Sequence, residues 1–510
     1  MDTSRRRLVR GTPDPLGYQR VETAPGENPL VREDLAVADA SRDPERLVAF
    51  AHLSDLHVMD PQSPTRVEFL ERYADPDSPY REMIPLVGTY RPQEIFTPHV
   101  VEAMVQAVNE LDVEFAISTG DATDACQANE LDAYLTLLDG GEVCPDSGDP
   151  SRWEGVHSSA SETYDVRYWH PDGPPAGFPD DLPRTVYGFP VAPGTLRAAA
   201  ASFEASGLDV PWFAVHGNHD NMLQGCVPPW PELAEVTVGP RKLVGMPEGN
   251  EVELVDGFDK ADRPVVARLV DAPSVEVAAD PSRRHVTRAE WVGAHVACHG
   301  HGFRQDHVDS GTAYYAFDMG PLRGLVLDTV NPHGYWQGSF DVTQFEWLEA
   351  QLRAEPGTLF VLFSHHPLRT LINDTGPERR ILAEEVADLL SKHSNVILWV
   401  NGHTHENMVT AHETFWEVTT ASHIDWPQQA RRIEILDNRN GTLSIVTTIV
   451  DHVGPPAWDG GSSPVSLAGL SRELSANYWQ NRDDTRREFK GAGTVADRNV
   501  ELLINNPLAT

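Results

Sequence analysis

Five short stretches of this 510-residue chain carry side chains able to hold metal ions. They are Asp55-Leu56-His57, Gly120-Asp121, Gly217-Asn218-His219-Asp220, His365-His366-Pro367 and Gly402-His403-Thr404-His405. Carboxylate, imidazole and amide oxygen are the donors that zinc, manganese and iron accept. No cysteine stands among them, which argues against a structural zinc finger. A single Asp-x-His is common by chance. Five such stretches, each after an apolar run, point to one site. His403 and His405, one residue apart, read either as loop polarity or as a ligand pair, and the other four stretches favour the pair.

The elements that must position these residues follow from the apolar pattern. LVAFAHLSD (47–55), VEFAISTGD (113–121), VPWFAVHGNHD (210–220), TLFVLFSHHP (358–367) and NVILWVNGHTH (395–405) are short apolar runs that end in polar residues. That pattern suits buried strands. Glycine at most of these ends lets the chain turn sharply into a crevice. HVVEAMVQAVNEL (99–111), FEWLEAQL (345–352) and ILAEEVADLLSKH (381–393) have helical spacing. Beyond 405, FWEVTTAS, ARRIEILD and TLSIVTTIV read as further strands. Alternating strands and helices predict an α/β fold with a sheet flanked by helices. Polar residues at the C-terminal ends of its strands then gather in one crevice.

The same reading divides the chain. Residues 1–46 are polar and are expected to form an N-terminal extension, an exposed tail. Residues 47–450 form the main domain, with long insertions at about 125–209 and 222–320. Residues 451–510 form a C-terminal tail that packs on the core, with DRNVELLINNP as a last edge strand. Loops as long as the two insertions usually serve as lids, binding walls or subdomains. No internal repeat is present.

Hydrophobic residues make up 40% and charged residues 23%, as in a globular protein. No run approaches the roughly 18 apolar residues of a membrane span. The arginines near the N-terminus hint at a twin-arginine signal, but no apolar stretch follows them, so a cytoplasmic location is expected. The net charge of −37 argues against binding nucleic acid through a general basic surface. It also means that an anionic substrate needs a local reversal of sign, which bound divalent metal would provide. The four cysteines, Cys126, Cys144, Cys226 and Cys298, show no CxxC spacing and read as reduced thiols. A Cys126–Cys144 bridge is the alternative if the protein is exported.

The series DxH, GD, GNHD, HxP and GHTH, in this order from Asp55 to His405, resembles the calcineurin-like metallophosphoesterase superfamily. Trp347-Leu348 and Leu327-Asp328-Thr329 look closest to its purple-acid-phosphatase-like and cyclic-nucleotide-phosphodiesterase-like branch. The resemblance covers the core, not the insertions or tails. It implies a four-layer αββα sandwich of two mixed β-sheets flanked by helices. It implies two metal ions (manganese, iron or zinc), the first held by Asp55, His57 and His405. Asn218, His365 and His403 would hold the second, with Asp121 as the bridge. It further implies hydrolysis of a phosphorylated small molecule, diester slightly before monoester, by a metal-bound hydroxide. His219 would stabilise the transition state or act as general acid, with Asp220 orienting its ring. No tyrosine follows Asp121, where Ala122 and Thr123 stand, so a ferric-tyrosinate colour is not expected.

Other polar residues have weaker claims. His366 reads as a neighbour of the ligand His365. Asp124 suits either a helix cap or a carboxylate behind the ligands. HVACHGHGFRQDH (295–307) fits no ligand pattern, but His299, His301 and Arg304 are candidates for contact with substrate phosphate. Trp153, Tyr164, Tyr168 and Trp169 suit a cleft lining or ordinary packing equally. Two other functions compete. A metallo-β-lactamase-like hydrolase needs HxHxDH, and His405 is followed by Glu406-Asn407 instead. A non-catalytic scaffold of the same fold would be expected to lose ligands, and none is missing.

Overall fold

The apolar runs become the strands of two sheets in the computed structural model, which describes residues 2–509 apart from 38, 40, 41, 76, 82–87, 248–250 and 482–490. One sheet has seven strands, in the order Leu30–Leu35, Val500–Asn505, Thr442–Asp451, Gln429–Asp437, Glu45–Leu53, Phe115–Ser118 and Trp212–Ala214. The other has six, in the order Tyr315–Met319, Leu322–Val326, Leu359–Phe363, Val396–Asn401, Trp416–Thr419 and Met408–Ala411. Both are mixed. Glu45–Leu53, Phe115–Ser118 and Trp212–Ala214 run parallel to one another. So do Leu322–Val326, Leu359–Phe363, Val396–Asn401 and Trp416–Thr419.

Period-two alternation along one strand explains the layering. All five residues of Leu359–Phe363 are buried. Val361 and Phe363 join a core that includes Phe50, Ile117, Ile433 and Ile445 of the seven-stranded sheet. Phe360 and Leu362 point the other way, to Leu348, Leu352, Val386 and Leu389 of helices Val342–Ala354 and Ala383–Leu390. A strand covered on both faces reads as a continuous apolar run, as this one does. Helices Thr97–Asn109 and Ala128–Asp139 supply Val101, Met104, Leu131 and Leu135 to the main core. Pro464–Asn477 packs against the first of them through Ala468 on Val100 and Ala103. The result is the sandwich of two mixed sheets between helices that the resemblance implies.

Three boundaries differ from the sequence reading. Residues 1–46 are not merely an exposed tail: Arg6–Arg10 pairs with Val21–Pro25, and Leu30–Leu35 forms an edge of the seven-stranded sheet. Val500–Asn505 is an inner strand, because Leu30–Leu35 covers its outer side while Thr442–Asp451 pairs with the other. Tyr315–Met319, inside the expected second insertion, pairs with Leu322–Val326 and belongs to the six-stranded sheet. Another part of that insertion gathers Leu233, Leu243, Leu254, Phe258 and Leu269 into a small core. Val67, Phe69 and Leu70 complete it from a segment between Asp55 and the helix at Thr97 that the sequence reading passed over. All four cysteines are free thiols. Cys126 is buried and Cys144 exposed, so the structure forms no bridge between them.

Candidate metal centre

Parallel strands of both sheets deliver their polar ends to one place. Loop backbones lock these ends together. Asp55 N donates to Gly120 O at 3.1 Å, His57 N to Asp121 O at 2.9 Å, and Gly402 N to His365 O at 3.0 Å. Asp55, His57, Asp121, His403 and His405 all have left-handed backbones, with φ of 52°, 44°, 50°, 69° and 55°. Such residues cost roughly 1–3 kcal/mol each and persist only where the surroundings fix them. The buried strands just before them do that here. Glycine is required where the loops meet: a Cβ at Gly402 would overlap Ser54 Oγ and Asp55 Oδ2, and one at Gly217 would overlap Asp121.

The side chains converge more tightly than their spacing in sequence suggests. His57 Nε2 and His405 Nε2 are 3.2 Å apart, and Asp55 Oδ1 is 3.4 Å from the latter. His403 Nδ1 and His365 Nε2 are also 3.2 Å apart. Asp121 Oδ2 lies 3.1 Å from His365 Nε2 and 3.9 Å from His57 Nε2. Asp121 Oδ1 accepts from the His219 amide at 2.8 Å. One carboxylate therefore spans both groups of histidines.

The donor atoms suit metal ions. His365 Nδ1 donates to the Thr119 carbonyl at 2.9 Å, His57 Nδ1 to Asp124 at 3.1 Å, and His405 Nδ1 to Asp425 at 2.7 Å. With Nδ1 committed, Nε2 of each ring is the atom left to take a proton or a cation. Burial pushes the His365 and His405 rings towards neutrality. The carboxylate of Asp121 for His365, and of Asp425 and Asp55 for His405, outweighs it and raises both to about 9. Asp55 is held down at about 2 and Asp121 well below the usual carboxylate range, because their histidine neighbours outweigh burial. Asn218 Nδ2 donates to Gly225 O at 3.1 Å, and Asn218 Oδ1 is buried without a partner among the described residues. A buried acceptor without a donor calls for an explanation, and a cation supplies one. Clusters of metal-holding geometry include Asp55, His57 and His405 together, and Asp55, Asp121 and His365 together.

Two sequence assignments change. Asp220 does not orient His219. Its carboxylate accepts from the amides of Ala122, Thr123 and Gly217 at 3.0, 3.0 and 2.9 Å, and so ties the Asp121 loop to the Asn218 loop. His219 Nδ1 instead donates to the carbonyl of Asp124 at 2.6 Å. The structure does not bring His299, His301 or Arg304 to the pocket. His301 stacks on Trp212 and pairs with Asp139 at 3.1 Å, His299 is exposed beside it, and Arg304 pairs with Asp306 on the surface. That segment is a polar edge covering the start of the Trp212 strand. The ring nitrogens of His366 face Thr329 Oγ1 at 2.7 Å and Trp336 O at 3.0 Å. Trp153, Tyr168 and Trp169 belong to a separate aromatic cluster with Tyr90 and Trp479.

Sequence reasoning missed Asp425, behind His405, and two arginines, Arg66, which is buried, and Arg91, which is half-buried. Arg66 pairs with Asp124, and Arg91 Nε donates to Asp425 at 2.8 Å. Neither arginine has a distinctive spacing to the motifs, and Asp425 lies 20 residues beyond His405, so no local signal marks them.

Residues 181–407 match the calcineurin-like phosphoesterase family. The span includes Asn218, His219, His365, His403 and His405, while Asp55, His57 and Asp121 precede it. No curated protein matches the chain. Among solved structures, the chain is similar to a dimetal phosphatase from Danio rerio, at 12% identity and a TM-score of 0.38, over 80% of this chain and 98% of that one. It is similar to PhoD at 12% identity and a TM-score of 0.30, over 84% and 70%. It is similar to the purple acid phosphatase PPD1 of yellow lupin (Lupinus luteus) seeds at 11% identity and a TM-score of 0.28, over 84% and 54%. No helix among the described residues is long and apolar enough to cross a membrane.

Proposed function

We propose that this chain is a calcineurin-like phosphoesterase that hydrolyses phosphate mono- or diesters with two metal ions, and that Asp121 stands between them. The observation that carries the reading is the reach of Asp121 Oδ2 to both histidine groups. Asp55, His57 and His405 would hold one ion. Asn218, through its unpartnered Oδ1, would hold the other with His365 and His403. Manganese, iron and zinc all accept this nitrogen and oxygen set. When bound, paired cations offset phosphoryl charge and make water more acidic.

The chain's own residues supply the rest. Asp121 would neutralise part of the charge of two cations held there and, by accepting from the His219 amide, fixes where that residue sits. His219 keeps Nδ1–H on the Asp124 carbonyl, so Nε2 is the atom able to hand a proton to a leaving oxygen. Gly225, with φ of 67°, makes room for that ring edge, because a Cβ there would overlap His219 Cδ2 and Nε2. Asp220 holds the Asp121 and Asn218 loops in register through three amides. Every position that a non-catalytic scaffold would be expected to lose carries a residue fit for its role.

The test is hydrolysis of bis-p-nitrophenyl phosphate and p-nitrophenyl phosphate by chelator-stripped protein, with and without added manganese. Turnover only after refilling is expected, and the ratio of the two rates sets the ester class. Equal turnover without metal would contradict the proposal.

A further inference from the structure

We infer that Arg66 and Arg91 are positioning residues that set the two imidazoles of one metal position, each through an aspartate. The inference rests on the two-metal reading above. Arg66 is 1% exposed. Its Nη1 pairs with Asp124 Oδ2, and the other oxygen of that carboxylate faces His57 Nδ1 at 3.1 Å. Arg91 Nε donates to Asp425 Oδ1 at 2.8 Å, and Asp425 Oδ2 faces His405 Nδ1 at 2.7 Å. The two chains of contacts end on His57 Nε2 and His405 Nε2, 3.2 Å apart. They are also tied at their outer ends. Glu94 Oε2 accepts from Arg66 Nη2 and from the Arg91 amide, both at 2.8 Å. Arg66 Nη2 further donates to Thr89 O, and Arg91 Nη1 to Gly88 O, each at 2.9 Å.

The other metal position lacks this backing. His365 Nδ1 rests on a backbone carbonyl, and His403 Nε2 has no partner among the described residues. A guanidinium is planar, so the bonds of Arg66 to Glu94 and Thr89, and of Arg91 to Gly88, fix the direction of the single N–H that each offers its aspartate. A carboxylate so held fixes the tautomer and tilt of the imidazole it accepts from. Of the two metal positions, Arg66 and Arg91 thus back the one formed by Asp55, His57 and His405.

Charge and positioning predict opposite effects, which makes the idea testable. Removing a buried positive charge near a cation site should by itself tighten cation binding. Removing a positioning group should weaken it. The experiment is calorimetric titration of the metal-stripped full chain with Mn²⁺. The wild type is expected to take two equivalents. Arg66→Ala and Arg91→Ala should each weaken one equivalent by about ten- to a hundredfold and leave the other. Arg91→Lys should lie between, and added guanidinium ion should restore Arg91→Ala. Arg283→Ala removes an equally buried guanidinium from Asp60, whose carboxylate is bound by Ser147 and Asn129 rather than by a metal-site histidine, and should leave both equivalents unchanged. Unchanged or tighter binding in both Arg66→Ala and Arg91→Ala would overturn the inference while leaving the two-metal reading intact. So would a loss of both equivalents that Arg283→Ala reproduces. A wild type that binds no Mn²⁺ would overturn both.

Discussion

His219 has a side chain 19% exposed, whereas that of His57 beside it is 2% exposed. A group that protonates a leaving oxygen has to reach substrate, and a ligand does not. His219→Ala should therefore keep both metal equivalents and lose about 10²–10⁴ in kcat, measured on manganese-loaded protein. Its identity was legible from the GNHD stretch, but its partner was not. Asp220 is adjacent in sequence, yet the turn at Gly217 aims its carboxylate inward at three amides, and the carbonyl of Asp124 takes its place. The pH dependence of loading also belongs at this scale. His365 and His405 are raised to about 9 when no cation is bound, so metal must displace protons from them below that value. The sign is fixed: affinity for Mn²⁺ should rise as pH rises from about 6.5 towards 9. Calorimetry in buffers of different ionisation heat should show proton release across that window. An affinity that falls with rising pH would contradict the assignment of these nitrogens.

At the scale of elements, the apolar runs identified the strands that carry the site, because burial on both faces leaves a dense hydrophobic signal. Leu359–Phe363 and Val396–Asn401 are buried throughout and were read from sequence as strands. Tyr315–Met319 was not, since an edge strand with a half-exposed middle carries no such run. The left-handed residues that follow the strands were also hidden. Histidine and aspartate do not announce a positive φ as glycine does. The crowding at Gly402 gives this scale its prediction. A methyl group there would meet Ser54 Oγ and Asp55 Oδ2, both fixed by the adjoining strand. Gly402→Ala should cost about 1–3 kcal/mol in stability by overpacking. It should also displace Asp55, so thermal melting should fall and Mn²⁺ binding weaken together. Melting and binding both at wild-type values would show that the loop has more room than the contact implies.

For the whole molecule, the two ends of the chain close one sheet. Leu30–Leu35 lies parallel to Val500–Asn505 although about 470 residues separate them in sequence. No periodicity records a pairing at that distance, which is why the N-terminal segment read as a tail. Arg66, Arg91 and Asp425 escaped notice for the same reason: their partners are set by packing, not by spacing. The motif residues were legible because each sits at a fixed offset from a buried strand. Charge is the other property of the whole. A chain of net charge −37, with Asp55, Asp121, Asp124 and Asp425 around one pocket, repels a phosphate ester unless cations reverse the local sign. The claim that two cations do so is tested most directly by following turnover of bis-p-nitrophenyl phosphate as Mn²⁺ is added to metal-stripped protein, with bound metal counted at each step. Turnover should stay low through the first equivalent per chain and rise with the second. Full turnover at one equivalent or fewer would contradict the two-metal account.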